Sequence, residues 1–251
     1  MRSITSRRQD YYFDTGGILL FICNGYFIIF VTLQVYYLQN AGKTRNIFAC
    51  EAAGLYFNKL PVSQQKLRQH IEEVVKVSDE EFDYILSHFR EKKLKKHAVL
   101  INEGDYVDQE YFVLKGCLRI YTVDLETGKE FTYQFAVENW WISDREAFTF
   151  GTKAKMTIEA LEACELLCLT KENREKLGAE IWKYEHYLHT KCNIGYIALQ
   201  KRMLAMITGN AKARYENFII RYPYLINRIP KTYIASYLGV SRETISRLYR
   251  S

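Results

Sequence analysis

The chain has 251 residues, of which 48% are hydrophobic and 25% charged, and its formal net charge is +6 at neutral pH. This composition excludes an intrinsically disordered chain, and the length allows one large domain or two small ones. The charge is uneven: residues 201–251 contain ten Lys or Arg and two Glu, whereas the other 200 residues carry a net charge of −2. A basic end on a nearly neutral body is typical of a DNA-binding domain attached to a sensor or scaffold domain.

The N-terminal segment contains 21 uncharged, mostly apolar residues, 18–38, which is about the length needed to cross a bilayer. Three interpretations are open: a membrane anchor, a buried hairpin packed on the body, or an extension, residues 1–64, translated from upstream of the true start. We favour the extension, because organised helical sequence begins only near Lys66. An internal start at a Met codon is not available before Met156.

Two helices are predicted next. Apolar residues recur at spacings of three and four after Lys66, and the run 78–81, Ser-Asp-Glu-Glu, has the form of a capping box that starts a second helix. The basic run 92–96 that follows is interpreted as the solvated end of a helix.

From His97 the apolar pattern changes to a period of two, with turns at Gly104, Gly116 and Gly128. Short strands separated by glycine turns predict a small antiparallel barrel or jelly roll. The predicted strands are 98–101, 111–114, 117–123, 130–136, 158–161 and 166–169.

A long helix is predicted over 181–207, with apolar residues on one broad side. A helix of this length is expected to connect two domains and to pack on its twin in a homodimer, with packing on its own barrel as the alternative. A further helix, 210–221, is expected to pack under the last elements of the chain.

The C-terminal run, 228–250, has the pattern of a helix-turn-helix. Thr232 is predicted to cap the first helix, Gly239 to adopt the left-handed conformation of a tight turn, and Ser241 to cap the second helix. Ile245 then belongs to the buried side of the second helix.

Outward-facing residues near the start of this second helix are the candidate DNA-reading set, because these positions meet base edges in the major groove. A generic helical hairpin without DNA function would share the apolar pattern but not Ser-Arg-Glu-Thr at the head of the second helix. The predicted DNA-binding residues are Thr232, Ser241, Arg242, Glu243, Ser246 and Arg247.

The order of barrel, long helix and helix-turn-helix with Ser241-Arg242-Glu243-Thr244-x-x-Arg247 resembles the Crp/Fnr family of bacterial transcriptional regulators from about Lys66 to the C-terminus. The resemblance implies an α+β fold: an antiparallel jelly roll of cyclic-nucleotide-binding type (66–180), a dimerisation helix (181–207) and a winged-type helix-turn-helix domain (208–251). It also implies a cytoplasmic homodimer on double-stranded DNA, with RNA polymerase as a possible partner. Two alternatives are open: a membrane-tethered sensor-regulator anchored through residues 18–38, and a ligand-binding module without DNA function.

The same resemblance gives roles to individual side chains. Arg242 and Arg247 would donate to guanine O6 and N7, and Glu243 would accept from a cytosine amino group. The implied half-site resembles TGTGA or TGA, and two half-sites would lie about one helical turn apart.

The effector segment departs from the cyclic-nucleotide pattern, since 139–160 contains no Arg-Ser or Arg-Thr pair for a phosphate. We therefore expect an effector other than cAMP, of unknown identity. Trp140 and Trp141 are weak pocket candidates that fit the barrel core better, and Lys153 and Lys155 are weak anion-binding candidates that fit the surface better.

No cofactor, metal or enzymatic activity is expected. The sequence contains no nucleophile–base set and no phosphate loop, and its six cysteines form neither a Cys-x-x-Cys pair nor the clustered N-terminal ligands of an Fnr-type iron–sulfur site. Cys164 and Cys168 lie four apart on a predicted strand, too far apart to chelate one ion. We interpret all six as buried or free thiols in a reducing cytosol.

Overall fold

The computed structural model describes residues 20–23, 26–29 and 62–248. In the first of two compact units, strand β1 (Leu20–Cys23) pairs antiparallel with β2 (Tyr26–Ile29). The rest of the apolar segment 18–38 lies outside the described residues, and so does most of the predicted extension. No helix in the described ranges is both long enough and apolar enough to cross a membrane.

The second unit begins with the two predicted helices, α1 (Val62–Glu72) and α2 (Asp79–Ser87). The capping box is confirmed: the Glu81 backbone N–H donates to the Ser78 hydroxyl at 3.2 Å, and the Ser78 N–H donates to the Glu81 carboxylate at 2.7 Å. These bonds satisfy backbone donors that the first turn of α2 would otherwise leave unpaired.

The barrel consists of two four-stranded antiparallel sheets, in the orders β3-β10-β5-β8 and β4-β9-β6-β7, which confirms the predicted jelly roll. A short helix, α3 (Arg145–Phe150), follows β8. The strands are β3 (Arg90–Leu94), β4 (Val99–Ile101), β5 (Gln109–Lys115), β6 (Leu118–Val123), β7 (Glu130–Ala136), β8 (Trp141–Ile142), β9 (Thr157–Ala160) and β10 (Cys164–Thr170).

The interpretation of the basic run as a helix end is wrong. Lys92 and Lys93 lie on β3, an edge strand that pairs with Leu166 and Glu165 of β10. Four of the five β3 residues are exposed, so the strand has no alternating apolar pattern for the sequence to reveal. Lysines on an edge strand also hinder unwanted pairing with other chains.

The C-terminal part is helical: α4 (Lys171–Glu180), α5 (Trp182–Thr208), α6 (Ala211–Arg221), a 3-10 turn (Leu225–Asn227), α7 (Lys231–Leu238) and α8 (Arg242–Leu248). Within 211–248 the structure contains no strand, so the wing hairpin expected for a winged-type motif is not among these residues.

Three apolar clusters hold this unit together. One fills the barrel, one packs α1, α2 and the start of α5 on the sheet that contains β5 and β10, and the third packs the helix-turn-helix on the outer face of the other sheet. In the third cluster the barrel contributes Cys117, Phe135 and Leu161. The helix-turn-helix is therefore packed on the barrel through a shared apolar core.

Candidate nucleic-acid interface

The turn of the helix-turn-helix forms as the sequence predicts. Gly239 has a φ of 65°, in the left-handed region that side chains with a Cβ rarely adopt. The Val240 N–H then donates to the Ala235 carbonyl at 3.0 Å, which closes the end of α7. Ile234 and Ile245 are fully buried, so the two helices meet along the predicted apolar faces.

Of the two predicted helix caps, the Ser241 cap is confirmed and the Thr232 cap is wrong. The Ser241 hydroxyl accepts from the Thr244 N–H at 3.2 Å, which confirms the cap of α8. The predicted cap of α7 is wrong: Pro230 is the N-cap residue, and Thr232 is an exposed residue inside the first turn. The fixed φ of Pro230, −59°, leads the chain into the helix without a side-chain hydrogen bond.

The residues of α8 that are predicted to contact DNA bases are accessible to solvent. Arg242, Glu243 and Arg247 are exposed, and Ser246 is half-buried beside them. Hydrogen bonds from its own backbone N–H and from Ser241 lower the pKa of Glu243, which keeps this carboxylate ionised. The exposed face of α8 therefore combines two fixed cations with one acceptor-only carboxylate.

The motif is held on the barrel by polar contacts as well as by its core. The Ser236 hydroxyl, on α7, donates to the Glu130 carbonyl at 2.8 Å and accepts from the Thr132 N–H at 2.8 Å. Both partners lie on β7, so α7 is hydrogen-bonded along a barrel strand. This contact fixes the base of the motif and leaves the outer face of α8 exposed.

A second anchor is Arg228, which lies just before α7 and binds two barrel carboxylates. Its guanidinium reaches Glu138 at 3.0 Å and Glu162 at 2.7 Å. Burial opposes ionisation of Glu138, but hydrogen bonds from Arg228 outweigh this and lower the pKa of the carboxyl. The sequence identified Arg228 only as one of ten basic residues, because neither partner is near it in the chain.

In the segment expected to bind an effector, residues 139–160, the buried carboxylate of Asp144 is already hydrogen-bonded within the chain. Asp144, 1% exposed, accepts from the Ala147 N–H at 3.1 Å and from the Lys155 N–H at 2.9 Å. The Asp144 carboxylate therefore joins the first turn of α3 to the backbone of Lys155, which follows the helix. Phe148 packs into the barrel core.

The four weak effector candidates have separate environments. Trp140 stacks on Tyr222, with ring centroids 5.4 Å apart, whereas the Trp141 indole donates to the Tyr187 hydroxyl at 2.8 Å. The Lys155 ammonium pairs with Glu146 at 2.6 Å, and the Lys153 ammonium lies 5.8 Å from the Tyr106 ring centroid. These side-chain contacts have no residue in common, so they define no shared pocket.

Comparison with known proteins supports this organisation. Residues 91–180 match the family model of the cyclic nucleotide-binding domain. The chain is 22% identical over 186 residues to the cAMP-activated global transcriptional regulator CRP of Escherichia coli, and the match covers 69% of this chain and 87% of that protein.

Solved structures with the same fold include two bacterial regulators. FixK2 from Bradyrhizobium japonicum matches with a TM-score of 0.57 and 17% identity, over 64% of this chain and 83% of that chain. The c-di-GMP-responsive global regulator CLP of Xanthomonas campestris matches with a TM-score of 0.53 and 13% identity, over 69% of this chain and 90% of that chain. These likenesses establish the fold.

Proposed function

We propose that this chain, which matches the cyclic nucleotide-binding domain over residues 91–180 and resembles the Crp/Fnr transcriptional regulators, is a homodimeric, sequence-specific DNA-binding regulator rather than an enzyme. Its partner is double-stranded DNA, with RNA polymerase as a further expected partner.

The exposed face of α8 carries this proposal. An arginine can donate two parallel hydrogen bonds to guanine, and an ionised glutamate can accept from the amino group of cytosine. Arg242 and Glu243 lie in the first turn of α8, and Arg247 lies about one turn further on. We assign them to a half-site that resembles TGTGA.

The long helix supports the dimer. Helix α5 is buried only near its start, at Tyr184, Tyr187 and Leu188. Beyond this point it exposes many large apolar side chains, which is typical of a helix that packs on a partner. The exposed set includes Tyr196, Leu199, Met203, Leu204 and Ile207.

We further propose that the barrel does not use a cyclic nucleotide as its effector. The buried Asp144 carboxylate accepts from the Ala147 N–H and from the Lys155 N–H, and its negative charge would repel a phosphate placed there. A cyclic nucleotide would have to displace this carboxylate and leave it unpaired in the interior, which is costly.

The test is selection of sites from random duplex DNA with the full chain, repeated with Arg242→Ala. We expect a two-fold symmetric operator and, for the variant, a loss of about 1–3 kcal/mol with relaxed preference at one base pair per half-site. Lys76→Ala is the matched control, because Lys76 is an exposed cation outside the helix-turn-helix. An unchanged base preference in Arg242→Ala would overturn the proposed readout.

A further inference from the structure

A cavity of about 190 Å³ lies where α5, α6 and α7 meet. Four of the side chains that line it are basic and none is acidic: Lys201 and Arg202 on α5, and Arg214 and Arg221 on α6. The amide of Asn217 adds a neutral donor. The cavity therefore has a strongly positive wall at the junction of the long helix with the helix-turn-helix.

These cations are not neutralised within the part of the chain that the structure describes. Arg214 donates to the carbonyls of Gly209, at 2.8 Å, and Leu238, at 3.0 Å, and Arg202 donates to the Tyr237 carbonyl at 3.2 Å. None of the four forms a carboxylate ion pair in the described ranges. Arg202 also donates to the Tyr133 carbonyl and lies 4.0 Å from the Tyr237 ring centroid, and Arg221 lies 4.6 Å from the Trp140 ring centroid. Carbonyls and rings orient these arginines, but neither group neutralises their positive charge.

The rest of the lining is apolar and includes Phe218, Leu238 and Met206. Phe218 is 2% exposed and belongs to the apolar core under the motif. Small organic ligands bind in concave sites of this kind, with an apolar surface and a few converging polar groups. An inorganic ion would use the cations but leave the apolar surface in contact with water.

We propose that this cavity binds a small organic phosphate, a phosphate group attached to a compact ring. Planar guanidinium groups match the geometry of phosphate oxygens, and several cations suit a group that carries up to two negative charges. The ring covers the apolar surface near Phe218 and Met206. A shallow extension of the cavity along α5, past Ile194 and Ile197, provides room for a longer molecule.

The site stays open in the proposed dimer. Ala198, Lys201 and Ala205 recur at spacings of three and four and face the cavity, whereas the exposed apolar residues centre on Met203. With 3.6 residues per turn, these two sets lie on roughly opposite sides of α5. A partner helix that covers one side therefore leaves the other accessible.

The location gives the ligand a way to affect DNA binding, an effect that rests on the proposed function. One occupant would contact α5, α6 and α7 together, and so would fix the helix-turn-helix relative to the long helix. A ligand that binds one relative arrangement more tightly shifts the population toward it. Occupancy itself does not depend on whether α8 reads DNA.

The test is calorimetric titration of the full chain with phenyl phosphate, compared with inorganic phosphate and with phenol. Phenyl phosphate should bind at one site per chain and more tightly than either control. Lys201→Gln should weaken it several-fold, and Lys201→Gln with Arg221→Gln about tenfold, since each variant removes a cation from the wall. Lys212→Gln, an exposed lysine on α6 outside the lining, should bind as the native chain does.

Other results would overturn the site or assign its cations to a different ligand. Binding that is equal in Lys201→Gln and Lys212→Gln would overturn the site, as would the absence of saturable phenyl phosphate binding in a chain with native circular dichroism. If the double variant lost only affinity for non-specific duplex DNA, the cations would serve backbone phosphates and the proposal would be wrong. Arg242→Gln should abolish sequence preference and leave phenyl phosphate binding unchanged, so failure of the DNA readout is distinguishable from failure of the cavity.

Discussion

The guanidinium of Arg119, on strand β6 of the barrel, lies 4.0 Å from the ring centroid of Tyr233, on the first helix of the helix-turn-helix. Tyr121 stacks on the same guanidinium, also at 4.0 Å. The charge is only 3% exposed and is balanced by Glu159 at 2.8 Å and Glu130 at 2.6 Å. A single buried cation thus connects the barrel to the helix-turn-helix.

Replacement of Arg119 by Ala should lower the free energy of unfolding by about 3 kcal/mol, because loss of one partner from a buried ion pair leaves the other charge uncompensated. The carboxylate that loses its buried partner is Glu159, whose side chain is 11% exposed and which keeps only the exposed His97 ring, 3.0 Å away. Urea denaturation followed by tryptophan fluorescence would measure the change. Arg90→Ala is the matched control, since Arg90 is exposed on an edge strand; equal losses in the two variants would contradict the assigned role of Arg119.

The sequence predicted the parts of the molecule that depend on neighbours along the chain. The Ser78 capping box, the left-handed Gly239 and the Ser241 cap each involve partners three or four residues away. Arg119 and Arg228 could not be identified this way, since Glu159 is 40 residues from the first and Glu138 is 90 from the second. Their role arises from tertiary packing, which no local pattern encodes.

The two incorrect predictions, a helix end at the basic run 92–96 and a Thr232 cap for α7, have a similar physical origin. The edge strand β3 has no buried side to produce an alternating pattern, so its lysines were indistinguishable from those of a helix end. Thr232 has a side chain suited to capping, but Pro230 already determines where α7 begins. In both cases the residue type was compatible with two local structures, and the tertiary context selected one.

Gly239→Ala tests the turn between α7 and α8. The φ of 65° should cost any residue with a Cβ about 1–2 kcal/mol, and the new Cβ would also lie 3.2 Å from the Met206 methyl group. We expect a lower thermal midpoint and weaker DNA binding, since α8 would be displaced from α7.

Gly195→Ala serves as the control, because alanine should stabilise the chain at this position. Gly195 lies inside α5, and a Cβ built there meets nothing within 4 Å in the described residues. Alanine is favoured over glycine in a helix interior by about 1 kcal/mol, so this variant should be stabilised. If both variants changed stability in the same direction, the argument from backbone conformation would be wrong.

Met203→Glu tests the dimer. The Met203 side chain is 59% exposed on the apolar side of α5, so a charge there would be buried only in a paired helix. Sedimentation velocity should detect a dimer for the native chain and a monomer for the variant, and the variant should lose affinity for a two-fold operator. Ile220→Glu adds the same charge at an 80% exposed position on α6 and should remain a dimer; dissociation of both variants would point to a general effect of charge instead.

Stability should fall in mild acid because of His70. Burial, together with the nearby charge of Lys191, lowers the pKa of His70 to about 4, while Glu73 acts weakly in the opposite direction. His70 Nδ1 lies 2.7 Å from the Tyr187 hydroxyl, which also accepts from the Trp141 indole. The Nδ1 atom of a neutral imidazole can accept the hydroxyl proton of Tyr187, whereas a protonated imidazole has no acceptor to offer it.

The direction in which the free energy of unfolding changes with pH follows from proton linkage. Between pH 4 and 6.5 the unfolded chain binds a proton at His70 and the folded chain does not, so the free energy of unfolding falls as the pH falls. At pH 5 this loss should be about 1–2 kcal/mol, reduced somewhat by the partial exposure of the ring. His70→Asn removes the titrating group and leaves the other four histidines in place. Urea denaturation at pH 7 and pH 5 should therefore give a smaller difference for His70→Asn than for the native chain, and identical differences would exclude His70 as the source.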